Sequence, residues 1–120
     1  MPALLRYALV GGLATGVHYA LLVLCVEWAG WPAYLGSGLG AVVGAQVAYV
    51  GNRQFTFAHR GALPSSWVRF QAAALFGALV GMAIVALAVN LGAHYLIAQV
   101  AATLLVLGLT FVVNRHWTFG

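Results

Sequence analysis

Tyr49-Val-Gly-Asn-Arg-Gln-Phe-Thr-Phe57 and Phe111-Val-Val-Asn-Arg-His-Trp-Thr-Phe119 are two renderings of one nine-residue phrase. Each sets an aromatic, two small or branched residues, Asn-Arg, a variable residue, an aromatic, Thr and Phe where a long apolar stretch runs out, and the second follows the first by 62 positions. Apolar drift does not produce such order, so the chain reads as two copies of one unit.

Composition names the solvent. With 64% hydrophobic and 5% charged residues, and a mean hydropathy of +1.01, the chain has too little polar surface to coat a water-soluble domain of its size. Crossing about 30 Å of hydrocarbon takes about 20 apolar residues. Windows of that kind run from Leu4 to Val26, Ala33 to Gly51, Phe70 to Leu91 and Tyr95 to Val113. The stretch from Phe70 to Asn114 holds no Asp, Glu, Lys or Arg. It is too long for one crossing and must turn near Asn90-Leu-Gly-Ala-His94, as Gly30-Trp-Pro32 turns the first pair. An apolar start behind Arg6 resembles a secretory leader, but the run is too long for one and its counterpart recurs at Arg69, so the first helix is expected to remain.

All five arginines (Arg6, Arg53, Arg60, Arg69 and Arg115) fall at the chain ends or in the middle, whereas the two short turns hold only Glu27 as a formal charge. Positive residues stay on the cytoplasmic side. The expected fold is therefore an all-α membrane protein of four transmembrane helices. It is arranged as two duplicated parallel-repeat hairpins, with N and C termini cytoplasmic. Because each half holds an even number of crossings, both enter from the same side. A single transmembrane domain covers 1–120, with repeat 1 at about 4–57, repeat 2 at about 67–119 and a cytoplasmic linker at about 58–66. Ladders of small residues, Ala8-Gly12-Gly16-Ala20, Gly36-Gly40-Gly44-Ala48 and Ala73-Gly77-Gly81, are expected to let helices approach closely in lipid. Some are expected to form a face between copies, making a homo-oligomer, a dimer or larger.

The Arg-Tyr-x-x-Val-Gly-Gly opening at Arg6 to Gly12, with Asn52-Arg53-x-Phe55-Thr56-Phe57 and Asn114-Arg115-x-Trp117-Thr118-Phe119 closing the halves, resembles the GtrA-like family of small four-helix membrane proteins. The resemblance covers essentially the whole chain. It implies a multi-pass protein of the bacterial inner membrane that translocates polyprenyl-phosphate-linked sugar for cell-envelope polysaccharide synthesis or modification. It also implies an alternative, a membrane anchor or accessory subunit that recruits a polyprenyl-phosphate glycosyltransferase.

The residues themselves suit such a ligand. Arg offers a planar, permanently charged fork that holds phosphate oxygens in pairs, and a neighbouring Asn donates to a third. Arg53 with Asn52, Arg115 with Asn114, and the repeat-related Arg6 and Arg69 form the expected phosphate-binding set at a cytoplasmic entrance. The competing reading is snorkelling to anionic membrane lipids, with the aromatics as interface anchors. Along the membrane, Gln46, Tyr49 and Arg53 share one helix face, and Gly11, Thr15 and His18 share another. Gln46, His18, Thr15 and Tyr49 are the expected sugar path, since polar residues at membrane depth tend to face a bundle interior. The alternative for Gln46 and His18 is an interhelical hydrogen bond. Thr103 and Thr110 are expected to satisfy their hydroxyls on the preceding turn. Glu27, Asn90 and His94 mark the outer opening.

Other chemistry finds little support. Cys25 is the single cysteine, and the four scattered His residues make no metal-ligand spacing. Neither a metal nor a cofactor is expected. There is no acid pair, no nucleophile beside a base and no glycine-rich phosphate loop, so the chain is expected not to be an enzyme. The pI of about 9.9 comes without the interleaved basic and aromatic pattern of a nucleic-acid binder. A mid-membrane acid of the kind that cation antiport needs is also missing from the sequence.

Overall fold

The computed structural model describes residues 2–51, 53 and 63–113. Four helices make up nearly all of the described chain. They are α1 (Ala3–Val23), which continues as one π-helical turn over Leu24–Trp28, then α2 (Ala33–Gly51), α3 (Leu63–Asn90) and α4 (Tyr95–Val113). Three spans are long and apolar enough to cross a membrane, at Leu5–Trp28, Ala33–Gly51 and Trp67–Asn90, while α4 is apolar over Tyr95–Leu109. In hydrocarbon every backbone polar group must be bonded within the chain, and a helix does this alone. No strand occurs among the described residues.

The bounds of α2 and α4 are those of the apolar windows. α3 begins earlier, inside the stretch expected as linker. Pro64 explains the early start: its fixed φ and missing N–H fit a first helical turn.

Each pair of helices turns on a glycine in the left-handed region, Gly30 at φ 72° and Gly92 at φ 101°, and these two lie 62 positions apart, as the Asn-Arg pairs do. Beyond α3, the Gly92 N–H reaches the Val89 carbonyl at 3.0 Å and the Ala93 N–H the Ala88 carbonyl at 3.0 Å, so the last carbonyls of the helix are satisfied. After α1 the same closure is one residue wider. The Trp31 N–H reaches the Cys25 carbonyl at 2.9 Å, because the π turn has already taken up a residue. The Pro32 carbonyl then accepts from Leu35 and Gly36 and opens α2.

Neighbours in sequence are neighbours in space: α1 packs on α2, α2 on α3 and α3 on α4. All three pairs run antiparallel. In the first, Gly51, Gly44, Gly40 and Gly36 of α2 lie in turn against Val10, Ala14, His18 and Leu22 with Cys25 of α1. The approach is of backbone to backbone, since a Cβ on Gly40 would come within 2.5 Å of the His18 carbonyl oxygen and one on Gly44 within 2.8 Å of that of Ala14. The second hairpin is held by side chains instead, with Val85, Ala98 and Ala102 buried together and Ile84 and Ala88 against them.

The small-residue ladders divide accordingly. That on α2 packs as expected, and Gly77 and Gly81 on α3 receive the methyls of Val106. The ladder on α1 does not pack within the chain. Ala8, Gly12, Gly16 and Ala20 are exposed, and a Cβ on Gly12 or Gly16 would meet nothing within 4 Å. The reason is steric. One glycine-lined helix already makes the hollow, and its partner fills it with the larger stripe Val10, Ala14, His18 and Leu22 on the other side of α1.

Candidate functional site

Antiparallel packing gathers the start of α1, the end of α2 and the start of α3 at one end of the bundle. Arg6, Arg53 and Arg69 are therefore at that end, Arg6 and Arg53 half-buried and Arg69 exposed. Asn52, Asn114 and Arg115, expected to complete the phosphate-binding set, lie outside the described residues, as does Arg60.

Just inside this end, the α2 face carrying Gln46 and Tyr49 turns toward α3. The Tyr49 and Phe70 rings sit 5.1 Å apart. Gln46 and Gln71 bond reciprocally: Nε2 of Gln46 donates to Oε1 of Gln71 at 2.7 Å, and Nε2 of Gln71 donates to Oε1 of Gln46 at 3.0 Å. The pair faces a shallow crevice bounded by Val42, Ala74 and Leu75. Two amides matched donor to acceptor satisfy each other, so this arrangement fastens α2 to α3. Gln71 was not singled out in the sequence.

Farther in, the bundle holds a second polar group. Among the described residues, the polar side chains that are fully buried are Ser37 and Gln99, each 2% exposed. They come from α2 and α4 and stand 62 positions apart, so they occupy one position of the repeat. His18 of α1, half-buried, sits beside the Ser37 backbone and the Gln99 side chain. Nε2 of His18 and Oε1 of Gln99 are nonetheless buried without an aligned hydrogen bond. The other end of the Gln99 amide is occupied, with Nε2 donating to Thr103 Oγ1 at 3.2 Å.

Tyr19 closes this group from α1. Its hydroxyl shares a 2.7 Å hydrogen bond with Thr103 Oγ1 and donates to the Gln99 carbonyl at 3.4 Å. Thr103 thus binds across to α1 rather than only along its own helix. Thr15, expected on the sugar path with His18, is exposed, one turn nearer the arginine end than Tyr19. Tyr19, Ser37, Gln99 and Thr103 were not assigned a site role from sequence. The repeat spacing was the available signal, since it pairs Ser37 with Gln99.

At the far end, the Tyr95 hydroxyl donates to Oε1 of Glu27 at 2.8 Å and ties the π turn after α1 to the start of α4. His94 caps α4. Its Nδ1 accepts from the Leu96 N–H at 3.2 Å, and its ring stacks on Tyr95 at 4.7 Å. Asn90 is exposed at the end of α3. Of the three residues expected at the outer opening, two have partners that hold helix ends in place.

A bundle of this kind, apolar outside with charge at one end and amides and hydroxyls within, has counterparts among known proteins. The dolichol-phosphate mannosyltransferase of Pyrococcus furiosus is 40% identical over 60 residues, 50% of this chain but 17% of that protein, so the chain spans a small part of its relative. No solved structure matches. The family described as GtrA/DPMS, transmembrane domain, matches residues 6–119, from the first arginine to the last aromatic of the second Asn-Arg phrase, and a match of that extent makes this chain a member of that family of multi-pass membrane proteins.

Proposed function

We propose that the chain is a flippase that carries a polyprenyl-phosphate-linked monosaccharide across the bacterial inner membrane for cell-envelope polysaccharide synthesis or modification. Family membership and a relative whose name contains a dolichol phosphate support a link to polyprenyl-phosphate sugars. The observation that carries translocation is the interior polar group of half-buried His18 with buried Ser37 and Gln99. A helix bundle that only anchors a partner has no need of it, and polar side chains at membrane depth are expensive.

In this reading the arginines at the cytoplasmic end take the phosphate as charge-assisted bidentate partners. The sugar passes along the polar interior while the prenyl tail stays in lipid. The chain makes and breaks no covalent bond. Glu27, the sole acid of the sequence, sits at the outer end, so net transport follows consumption of the product outside rather than proton flow. Copies of the chain assemble as a dimer or larger.

A second reading has its own support. The relative that shares this segment is named as a transferase and is far longer than the match, so a membrane anchor for a polyprenyl-phosphate glycosyltransferase remains the alternative. The experiment that separates them is scrambling in vesicles. Purified protein reconstituted with a labelled polyprenyl-phosphate sugar is expected to bring the label to the opposite leaflet. The absence of any such movement, with a glycosyltransferase still captured by the protein, establishes the anchor.

A further inference from the structure

We propose that His18, Ser37 and Gln99 form a sugar-hydroxyl site reached sideways from the bilayer, through the seam between α1 and α4. The inference rests on the reading of the chain as a protein for polyprenyl-phosphate sugars, and it locates where the sugar is held.

The first observation is the pair of unmet polar atoms. Gln99 is 2% exposed, yet its Oε1 and the Nε2 of His18 are both buried without an aligned hydrogen bond, although the two side chains lie within reach of each other. Buried polar groups are almost always bonded, and leaving one unmet is more costly than a made bond is favourable. Gln99 Oε1 needs a donor. His18 Nε2 needs a donor or an acceptor according to its tautomer. A hydroxyl serves in every case because it donates and accepts. A sugar presents several hydroxyls, and Ser37 adds a third polar group from the repeat-related position.

The second observation is the way in. α1 meets α4 through polar side chains, Tyr19 with Thr103 and Gln99, and Glu27 with Tyr95, without the close backbone packing that joins the other neighbours. On the arginine side of Tyr19 the seam is open. Thr15, Gly16 and Gly12, which share the Tyr19 face of α1, are exposed. No atom would lie within 4 Å of a Cβ on Gly11, Gly12 or Gly16. Leu107, one turn from Thr103 on the same face of α4, is 61% exposed. Parting this seam breaks hydrogen bonds, which a hydroxylated head group can replace, and separates little apolar packing. A lateral opening also suits a ligand whose tail stays in the bilayer while its head group enters. Arg6 stands twelve residues, about 18 Å of helix rise, from His18, farther than a sugar reaches from its own phosphate, so Arg6, Arg53 and Arg69 take the phosphate first and release it as the sugar comes to lie against His18 and Gln99.

The test uses the whole chain in nanodiscs, labelled with 15N at Gln and His. The probes are dolichyl-phosphate mannose, dolichyl-phosphate glucose and dolichyl phosphate without sugar, with lipid retained by the purified protein measured alongside. A sugar-bearing lipid is expected to move the Gln99 side-chain amide and His18 ring signals, and the sugar-free lipid to leave them in place. Gln99→Leu is expected to weaken retention of the sugar-bearing lipid roughly ten-fold more than that of the bare phosphate, the size of one or two buried hydrogen bonds. Retention of all three lipids with unmoved signals, or with the same movement for the sugar-free lipid, overturns the site and leaves only water there, while the broader reading stands. Retention of none of them removes both.

Discussion

A methyl group on Gly40 would be forced to within 2.5 Å of a backbone carbonyl, that of His18, which cannot swing aside as a side chain does. Gly40→Ala therefore has two opposed effects: alanine favours the helix by roughly 0.5–1 kcal/mol, and the clash costs roughly 1–3 kcal/mol. The clash wins. Unfolding in detergent micelles, followed by circular dichroism, is expected to shift to lower temperature or denaturant. Gly16→Ala has the opposite sign for the isolated chain, because its Cβ meets open space. If copies associate through that face, Gly16→Ala stabilises the monomer and weakens the oligomer, which analytical ultracentrifugation in detergent resolves. A glycine count cannot distinguish the two positions. What differs is the azimuth at which each sits, and a helix that is apolar on every side gives no periodic signal from which to read it.

For whole elements, the reciprocal amides of Gln46 and Gln71 fasten α2 to α3. Gln46→Leu or Gln71→Leu alone leaves one amide without its match and is expected to cost about 1 kcal/mol, in the range of interhelical hydrogen bonds in lipid. The double Gln46→Leu, Gln71→Leu restores a uniform apolar contact and most of that loss. A double-mutant cycle in detergent unfolding measures the coupling. These helices were largely legible beforehand. α2 and α4 begin and end where the apolar windows do, because hydrocarbon thickness fixes the length and Gly30, Pro32 and Gly92 fix the turns. The early start of α3 was missed because Ser65 and Ser66 read as linker although Pro64 marks a first turn. The π turn at Leu24–Trp28 carries no comparable signal. Within the site, His18 and Gln46 stood out as polar residues in apolar runs. Their partners did not, since Gln71, Gln99 and Tyr19 are chosen by packing between helices far apart in sequence. The small-residue pattern of α1 predicted contact where the chain leaves an exposed face, because it shows which surfaces allow close approach and not which one is used.

In the molecule as a whole, the described arginines gather at one end and Glu27 lies at the other. By the positive-inside rule the arginine end is expected to be cytoplasmic. With Cys25→Ala as background, Arg53→Cys is expected to react with an impermeant maleimide only from the cytoplasmic side and Glu27→Cys only from the outside. Labelling of both from one side contradicts the antiparallel arrangement. Arg53→Gln together with Arg69→Gln is expected to weaken retention of sugar-free dolichyl phosphate, with the effect fading as salt rises, because exposed charges are screened.

Gly30 and Gly92 give each hairpin its own built-in bend, and this bears on how the chain is manufactured. Neither half needs the other to reverse direction, so the two hairpins are expected to insert in succession and to dock afterwards. Severing the gene between the codons for Gly51 and Leu63 and producing both fragments in one cell is then expected to yield a complex that copurifies through a tag on either piece. The 62-residue repeat is what the end-to-end joining of two copies of one hairpin would leave.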